Sequence, residues 1–418
     1  MEKTVIELFA GVGGFRVGLN DIKGFDENGL AIENRDWKFV WANQWEPATT
    51  AQHAFDCYQK RFGENPNHSN DDITIIDKNL IPDHSLVVGG FPCQDYSVAR
   101  TLSGEKGIQG KKGVLFWQIA EVLEAKQAPF VLLENVDRLL KSPSKQRGRD
   151  FGIMLRTFHD LGYNLEWRIV NAADYGCAQK RRRIFIFAWK RSLNYNQGIH
   201  FRTAERTIFK EGLFAKSFPV YETDNFDRDF AEVDLLRYKD TVEMTESFKA
   251  NFENTGLMIN GLVFTGKTNP KIETPITLKE IREERTGLDK YFLSDEQNEK
   301  YKYLKGAKKI PRVKPNGDPY FYTEGSMAFP DDLNGPGRTM LTSEGSVNRS
   351  THVIEDFETG KNRILTPVET ERLQHFPDNW TDTGMPEKRR YFMMGNALVA
   401  QLINRMEDTL SLIFFLEN

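Results

Sequence analysis

The sequence predicts an α/β protein: a parallel sheet wrapped by helices, with a smaller, irregular domain inserted before the last helix. Three observations carry this. Short apolar runs at Val5–Phe9, Phe39–Ala42, Leu86–Val88 and Phe130–Leu133 alternate with helical stretches such as Phe116–Lys126, whose Ile119, Val122 and Leu123 share a face. Glycines follow the first run at once (Gly11, Gly13, Gly14), as where a strand turns into a helix. From Lys190 to about Val353 the pattern dissolves into Asn, Asp, Thr, Gly and Lys with few clean periods. The expected lobes are residues 1–190 with 385–418, and residues 191–384.

The remaining elements follow in order. Leu165–Val170 and Ile184–Trp189 add two β-rich runs to the first lobe. In the middle region, Ser294 with Gln297 three residues on forms a capping box before a helix over 296–304. Thr366-Pro367-Val368-Glu369 is a second start, with a cap, a proline at the first helical position and a reaching glutamate. Gly395 to Leu416 reads as one apolar-periodic helix that returns to the first lobe. No internal repeat or low-complexity segment interrupts the chain.

Length and composition narrow the class. At 418 residues two domains are expected, and 39% hydrophobic with 28% charged residues describe an ordinary globular protein. No apolar run approaches the roughly 18 residues of a membrane span. A strand beginning near the N-terminus leaves no room for a signal peptide, and the cytoplasm is the expected compartment. The three cysteines, Cys57, Cys93 and Cys177, suit a reducing compartment rather than a disulfide framework. No Cys/His cluster has ligand spacing, so no metal site is expected. With a net charge of −4, any nucleic-acid surface must be a local basic patch.

Candidate chemistry concentrates at strand tips. Gly89-Gly90-Phe91-Pro92-Cys93-Gln94 follows an apolar strand and presents a thiol fixed by the preceding proline. Glu134 ends the next apolar run, within Glu134-Asn135-Val136, and can work beside that thiol. In Gln179-Lys180-Arg181-Arg182-Arg183, ahead of Ile184–Trp189, strand periodicity puts Gln179, Arg181 and Arg183 on one face and Lys180 and Arg182 on the other. Phe9-Ala10-Gly11-Val12-Gly13-Gly14 lets the backbone approach a ligand at a helix N-terminus. Gln44, Trp45 and Glu46 end the second strand, where a ribose is usually held and an indole can stack on adenine. Asp72-Ile73 would sit at the third strand's tip. These features alone do not separate a dinucleotide from S-adenosylmethionine, although the next glycine after Gly14 is Gly18 and the full dinucleotide fingerprint is missing.

Taken in register, these segments resemble the DNA (cytosine-5-)-methyltransferases of bacterial restriction-modification systems. The resemblance extends through Gln94 with Ser97, Gly113-Val114-Leu115-Phe116-Trp117 and Arg363-x-Leu365-Thr366-Pro367. It continues through Arg372-Leu373-Gln374-x-Phe376-Pro377 and Gly395-Asn396-Ala397-Leu398-Val399. It implies a Rossmann-like S-adenosylmethionine-dependent methyltransferase fold with an inserted target-recognition domain. It also implies methyl transfer to carbon 5 of a flipped cytosine in a specific double-stranded DNA sequence. Cys93 would add to carbon 6, because carbon 5 is a poor nucleophile until the ring is activated. Glu134 would serve the N3 proton, and Gln179, Arg181 and Arg183 would stabilise charge on the base. The cofactor site would comprise Phe9, Gly11, Gly13, Gly14, Gln44, Trp45, Asp72, Ile73, Gly90, Pro92, Leu115, Asn396, Ala397 and Val399.

Two positions depart from the family pattern. Gln44 stands where an acid usually holds the ribose, so Glu46 could share that task. Ala397 stands where serine is common. Cys57 and Cys177 match no catalytic position and read as structural.

DNA contacts are expected from local charge. The segment from Ser97 to Gly113, with four glycines and four Lys/Arg residues, reads as a lid closing on an extruded base, with Gln109 filling the vacated space. Tyr301–Pro315 carries Lys308 and Lys309 among six basic residues and no acid, a candidate for phosphate contact, as is Lys141–Arg149. Glu324–His352, with Arg338 and Arg349, mixes base-reading residue types. The expected partner is double-stranded DNA, with a restriction endonuclease paired functionally but not in a stable complex, and the enzyme acting as a monomer. Three other readings stay open here: a tRNA cytosine-5 methyltransferase, a catalytically inactive DNA-binding relative, and an NAD-dependent oxidoreductase.

Overall fold

The computed structural model describes residues 1–91, 114–197, 204–314 and 316–417. Its centre is a ten-stranded mixed sheet. The first lobe supplies β1 (Thr4–Leu8), β2 (Lys38–Asn43), β3 (His68–Ser69), β4 (Leu86–Gly90), β5 (Phe130–Val136), β6 (Tyr163–Asn171) and β7 (Arg182–Lys190). Then come β8 (Phe230–Asp234), β9 (Thr255–Ile259) and β10 (Leu262–Gly266). The order across the sheet is β3-β2-β1-β4-β5-β7-β6-β9-β10-β8. The first five of these are parallel and the rest pair antiparallel.

Alternation explains why the core strands read as continuous apolar runs. Val131 and Leu133 of β5, with Ile184, Ile186 and Ala188 of β7, pack into one hydrophobic cluster. Phe130 and Leu132, with Phe185, Phe187 and Trp189, pack into the other. Both faces are covered, so both positions of each period must be apolar. Helices α2 (Val114–Lys126) and α3 (Arg149–Asp160) cover the first face, and α1 (Gly14–Leu19) with the helix Ala400–Leu416 covers the second. The last helix does return to the first lobe. Gly18 permits it, since a Cβ there would lie 2.5 Å from Ile403, and Trp37 Nε1 donates to Glu407 at 2.8 Å.

Three expectations about boundaries change. Residue 190 is not the edge of the first lobe, because β8, β9 and β10 continue its sheet and share its two cores. Nor does residue 384 divide two cores: Leu373, Phe376 and Trp380 pack with Val12 and Val17 of the first lobe and with Leu278 and Met340 of the second. Finally, Gly395–Leu416 is not one helix. A helix over Glu387–Asn396 ends and another begins at Ala400. The break follows from competition for carbonyls: Gln374 Nε2 donates to Met394 O at 2.7 Å and Arg181 to Gly395 O at 3.1 Å. Both expected capping boxes form, at Ser294 before Asp295–Lys305 and at Thr366 before Pro367–Leu373.

Glu7 is a charged-type residue buried in β1. Its carboxylate accepts the Phe15 N–H at 3.1 Å and the Tyr58 hydroxyl at 3.2 Å, so it caps α1 from beneath the sheet. The N-cap residue, Gly13, has φ 87° and could not be replaced cheaply, because a Cβ there would meet the Phe62 ring at 2.5 Å. Burial pushes the Glu7 carboxyl up to about 8, against the pull of the Phe15 N–H and Arg16. The folded value lies above the unfolded one, so this group's contribution is complete below about pH 4.3 and is lost as pH rises through about 8. Urea unfolding should therefore show stability falling between about pH 5 and 8. Glu7→Gln, which keeps an acceptor but cannot ionise, should flatten that slope; an unchanged slope would remove Glu7 as its source.

Candidate active site

In the parallel half of the sheet the strand order reverses at β1, which lies between β2 and β4. Ligands of open α/β sheets bind outside the carboxyl ends of the strands at such a point. Here those ends are the glycine loop after β1 and Gly90-Phe91 after β4. Glu134 is paired in register with Gly90, and a Cβ on Gly90 would stand 3.3 Å from Glu134 Oε2. The bare backbone at Gly90 thus lets the carboxyl lie close against the β4 tip. Asn135, on the opposite face of β5, is buried and donates from Nδ2 to Phe91 O at 2.9 Å. That bond anchors the backbone just before Pro92.

Arg183 completes the cluster. β7 runs antiparallel to β5 and sets Arg183 opposite Val136, so its Nε meets Glu134 Oε1 at 2.8 Å. Burial raises the Glu134 carboxyl, while Arg183 first and then Arg181 pull it back down. A carboxyl balanced this way can hold or release a proton without a large penalty.

Alternation along 179–183 holds: Gln179 and Arg181 are buried and Arg183 partly so, while Lys180 and Arg182 face outward. Their destinations differ from the expectation that all three inward residues face substrate. Gln179 Oε1 accepts the Met340 N–H at 2.9 Å, and its Nε2 points to Leu373 O at 3.4 Å. Arg181 donates to Met340 O and Gly395 O, each at 3.1 Å. Burial, then the like charge of Arg183, holds its guanidinium below the ordinary arginine range. Both side chains fasten the segment around 340 to the chain leading into β7.

The expected nucleoside residues gather at the other side of the β1 tip. Phe9 ends β1 at φ 56°, a strained conformation for a side-chain-bearing residue, and turns the chain into the glycine loop. Gln44 Oε1 accepts the Gly11 N–H at 2.7 Å, so the amide at this position braces the loop. A Cβ on Gly11 would meet nothing within 4 Å, which leaves open space above the loop. Trp45 is 40% exposed, with a ring face free to be covered. Asp72 is half-buried and Ile73 buried, beyond β3. Glu46 does not share the role of Gln44 here: it accepts the Ala54 N–H at 3.0 Å and pairs with Arg389. Leu115 and Ala397 are half-buried, Asn396 exposed and Val399 buried.

Pro92, Cys93, Gln94, Ser97 and Gln109, together with the rest of the expected lid, lie outside the described residues. Cys57 and Cys177 are buried, and burial pushes both thiols up to about 12, which leaves them protonated and inert. Of the expected DNA contacts, Lys309 is exposed. Arg338 instead holds Asp331 through Nε (2.8 Å) and Nη2 (3.1 Å), and Arg349 donates to Leu304 O at 2.6 Å. Sequence reasoning missed the anchoring roles of Asn135 and of Trp380, whose Nε1 donates to Val12 O at 2.8 Å beneath the glycine loop. The only local signal for Asn135 was a polar residue at a buried strand position.

Comparison with known proteins agrees with this geometry. Residues 3–411 match the family model described as C-5 cytosine-specific DNA methylase. The chain is 51% identical over 417 residues to the Type II methyltransferase M.Sau3AI of Staphylococcus aureus, covering 99% of this chain and 97% of that one. It is 27% identical over 444 residues to the Type II methyltransferase M.NlaIV of Neisseria lactamica, covering 97% and 98%. A solved DNMT2 from Spodoptera frugiperda superposes with a TM-score of 0.57 at 14% identity, covering 98% of this chain and 99% of that one, and shares the fold.

The two uses of this arginine- and glutamine-bearing strand separate experimentally. Gln179→Leu strands a buried N–H and weakens the hold on residue 340, and should cost about 1–3 kcal/mol in urea unfolding. Arg183→Gln removes the partner of a mostly buried carboxyl, so its cost, unlike that of Gln179→Leu, should shrink as pH falls and Glu134 takes up a proton. A small cost of Gln179→Leu would mean that Gln179 has no part in holding the segment at 340.

Proposed function

The chain belongs to the C-5 cytosine-specific DNA methylases, and from that premise we propose that it transfers a methyl group from S-adenosylmethionine to carbon 5 of a flipped cytosine in a specific duplex sequence. The observation that carries the reading is the Glu134–Arg183 pair at 2.8 Å, set against the strand tip that leads into Pro92-Cys93. The 51% identity to a Type II methyltransferase across 99% of the chain supports a role as the modification enzyme of a restriction-modification system; a monomer acting in a bacterial cytoplasm is part of the same proposal.

The residues at the β1 tip fit S-adenosylmethionine. Open space lies over Gly11, the α1 N-terminus carries a glycine cap, Trp45 is 40% exposed, and Asp72 is half-buried. When bound, that cofactor supplies an electrophilic methyl group on a sulfonium. The chain's own residues do the rest. The Cys93 thiolate adds to carbon 6, and the ring's displaced electron pair becomes available at carbon 5. Glu134, raised by burial, gives a proton to N3 as charge develops, and Arg183 steadies the carboxylate that remains. After methylation, a solvent water takes the carbon 5 proton, the freed electron pair re-forms the carbon 5–carbon 6 double bond and expels the Cys93 thiolate, and the N3 proton returns to Glu134. Asn135, Gln179 and Arg181 act as positioning residues: the first holds the approach to Cys93, the others the second lobe.

Bisulfite sequencing of genomic DNA from a methylation-free host expressing the chain tests this reading. Protected cytosines in one short motif are expected, with none in a Cys93→Ser control. Glu134→Gln should lower the rate at least ~100-fold, the scale of a lost general acid. Full turnover in Cys93→Ser would sink the covalent mechanism. No protection by wild-type protein would sink the DNA substrate.

A further inference from the structure

Strands β11 (Lys308–Val313) and β12 (Pro319–Glu324) form a separate two-stranded antiparallel ribbon. Its register places Pro311 opposite Phe321 and Val313 opposite Pro319 on one face, and Arg312 opposite Tyr320 and Ile310 opposite Tyr322 on the other. Residues from Pro311 to Val313 and from Pro319 to Thr323 are all exposed, Val313 at 68% and Phe321 at 67%. Two-stranded ribbons are marginal by themselves, and an exposed apolar strand is a liability unless something covers it.

We propose that this ribbon enters the major groove of the substrate duplex, with Phe321 against base edges, Lys309 at the root of the same face toward one phosphate strand and Arg312 of the opposite face toward the other. The inference rests on the DNA substrate proposed above and assigns the reading element within it. Charge complementarity favours DNA: Lys309, Arg312 and Lys314 line the ribbon, and Arg312 lies stacked over Tyr322 at 4.2 Å, already extended along the surface. Shape agrees, because a two-stranded ribbon fits the roughly 12 Å major groove. A second copy of this chain, adding strand to strand, is disfavoured because Pro311 and Pro319 lack an N–H for pairing.

The ribbon is also held where a reader must be. Arg349 grips both ends of its root, donating to Leu304 O (2.6 Å) and Gly306 O (3.2 Å) before β11 and to Gly325 O after β12. Lys308 donates to Leu304 O at 2.8 Å. Both cations are thereby positioning residues for the ribbon rather than DNA contacts. Nine residues on from Met340, which Arg181 holds, the chain reaches Arg349. Nine residues span at most about 32 Å, so the root lies within about nine base pairs' length of the catalytic strand.

The test measures binding by fluorescence anisotropy to a short duplex carrying the motif found by bisulfite sequencing, and to a scrambled duplex, across a salt series. Phe321→Ser, at an exposed position that leaves the fold intact by circular dichroism, should weaken motif binding at least about tenfold and scrambled binding little. Lys309→Ala should weaken both and reduce the salt slope by about one. Wild-type-like motif affinity in Phe321→Ser, from a wild type that methylates DNA, would overturn the ribbon assignment alone. A wild type that dimerises through the ribbon in light scattering, and becomes monomeric as Phe321→Ser, would overturn it too. A wild type that protects no cytosine in bisulfite sequencing and binds neither of two arbitrary duplexes would overturn both this assignment and the DNA substrate.

Discussion

The arrangement around Glu134 depends on one seam, where the chain just before β7 meets the segment from 337 to 342 and the end of the helix Glu387–Asn396. Buried carbonyls at Met340, Met394 and Gly395 lack helix or sheet partners, and a buried peptide oxygen must be satisfied. Arg181 serves two of them and Gln374 the third. Gly395 makes the approach possible, since a Cβ there would stand 2.5 Å from the Thr342 backbone. Two residues on from Arg181, Arg183 meets the Glu134 carboxylate. Strand and lobe are thus joined at one place, and the geometry of the acid is tied to the position of the second lobe.

A buried carboxyl in β1 and a mostly buried one beside the β4 tip answer to the same physics with different results. Glu7 meets an N–H and a hydroxyl, and burial pushes it up to about 8; its work is to cap α1 beneath the glycine loop. Glu134 also pays for burial, but Arg183 and Arg181 draw it back. The first arrangement builds a rigid loop, and the second leaves a proton that can move.

Much of the first lobe was legible because its strands are buried on both faces and its helices start with local signals. The capping boxes at Ser294 and Thr366 formed as their spacing implied. The middle region was less legible for a physical reason. Three of its strands, Phe230–Asp234, Lys308–Val313 and Pro319–Glu324, are mostly exposed, so no buried face imposes an apolar pattern on them. One clear signal there went unread: Asn260-Gly261 between two apolar runs, with φ of 50° and 85°, turns β9 into β10. A third capping box, Thr277 with Glu280, also went unread.

What the sequence determined alone is what depends on neighbours a few residues away: strand alternation, helix caps, the glycine turn after β1, and the order of the motifs that carry the chemistry. Which inward residues of 179–183 face the site could not be found this way. Alternation assigns a side, but the partners of Gln179 and Arg181 are backbone atoms some 160 and 210 residues further on. The same holds for Arg338 and Arg349, whose charge suggested DNA until folding supplied an aspartate and a ring of carbonyls to hold them. A guanidinium binds whichever acceptors the tertiary structure leaves unsatisfied beside it, and those are set by packing rather than by sequence spacing.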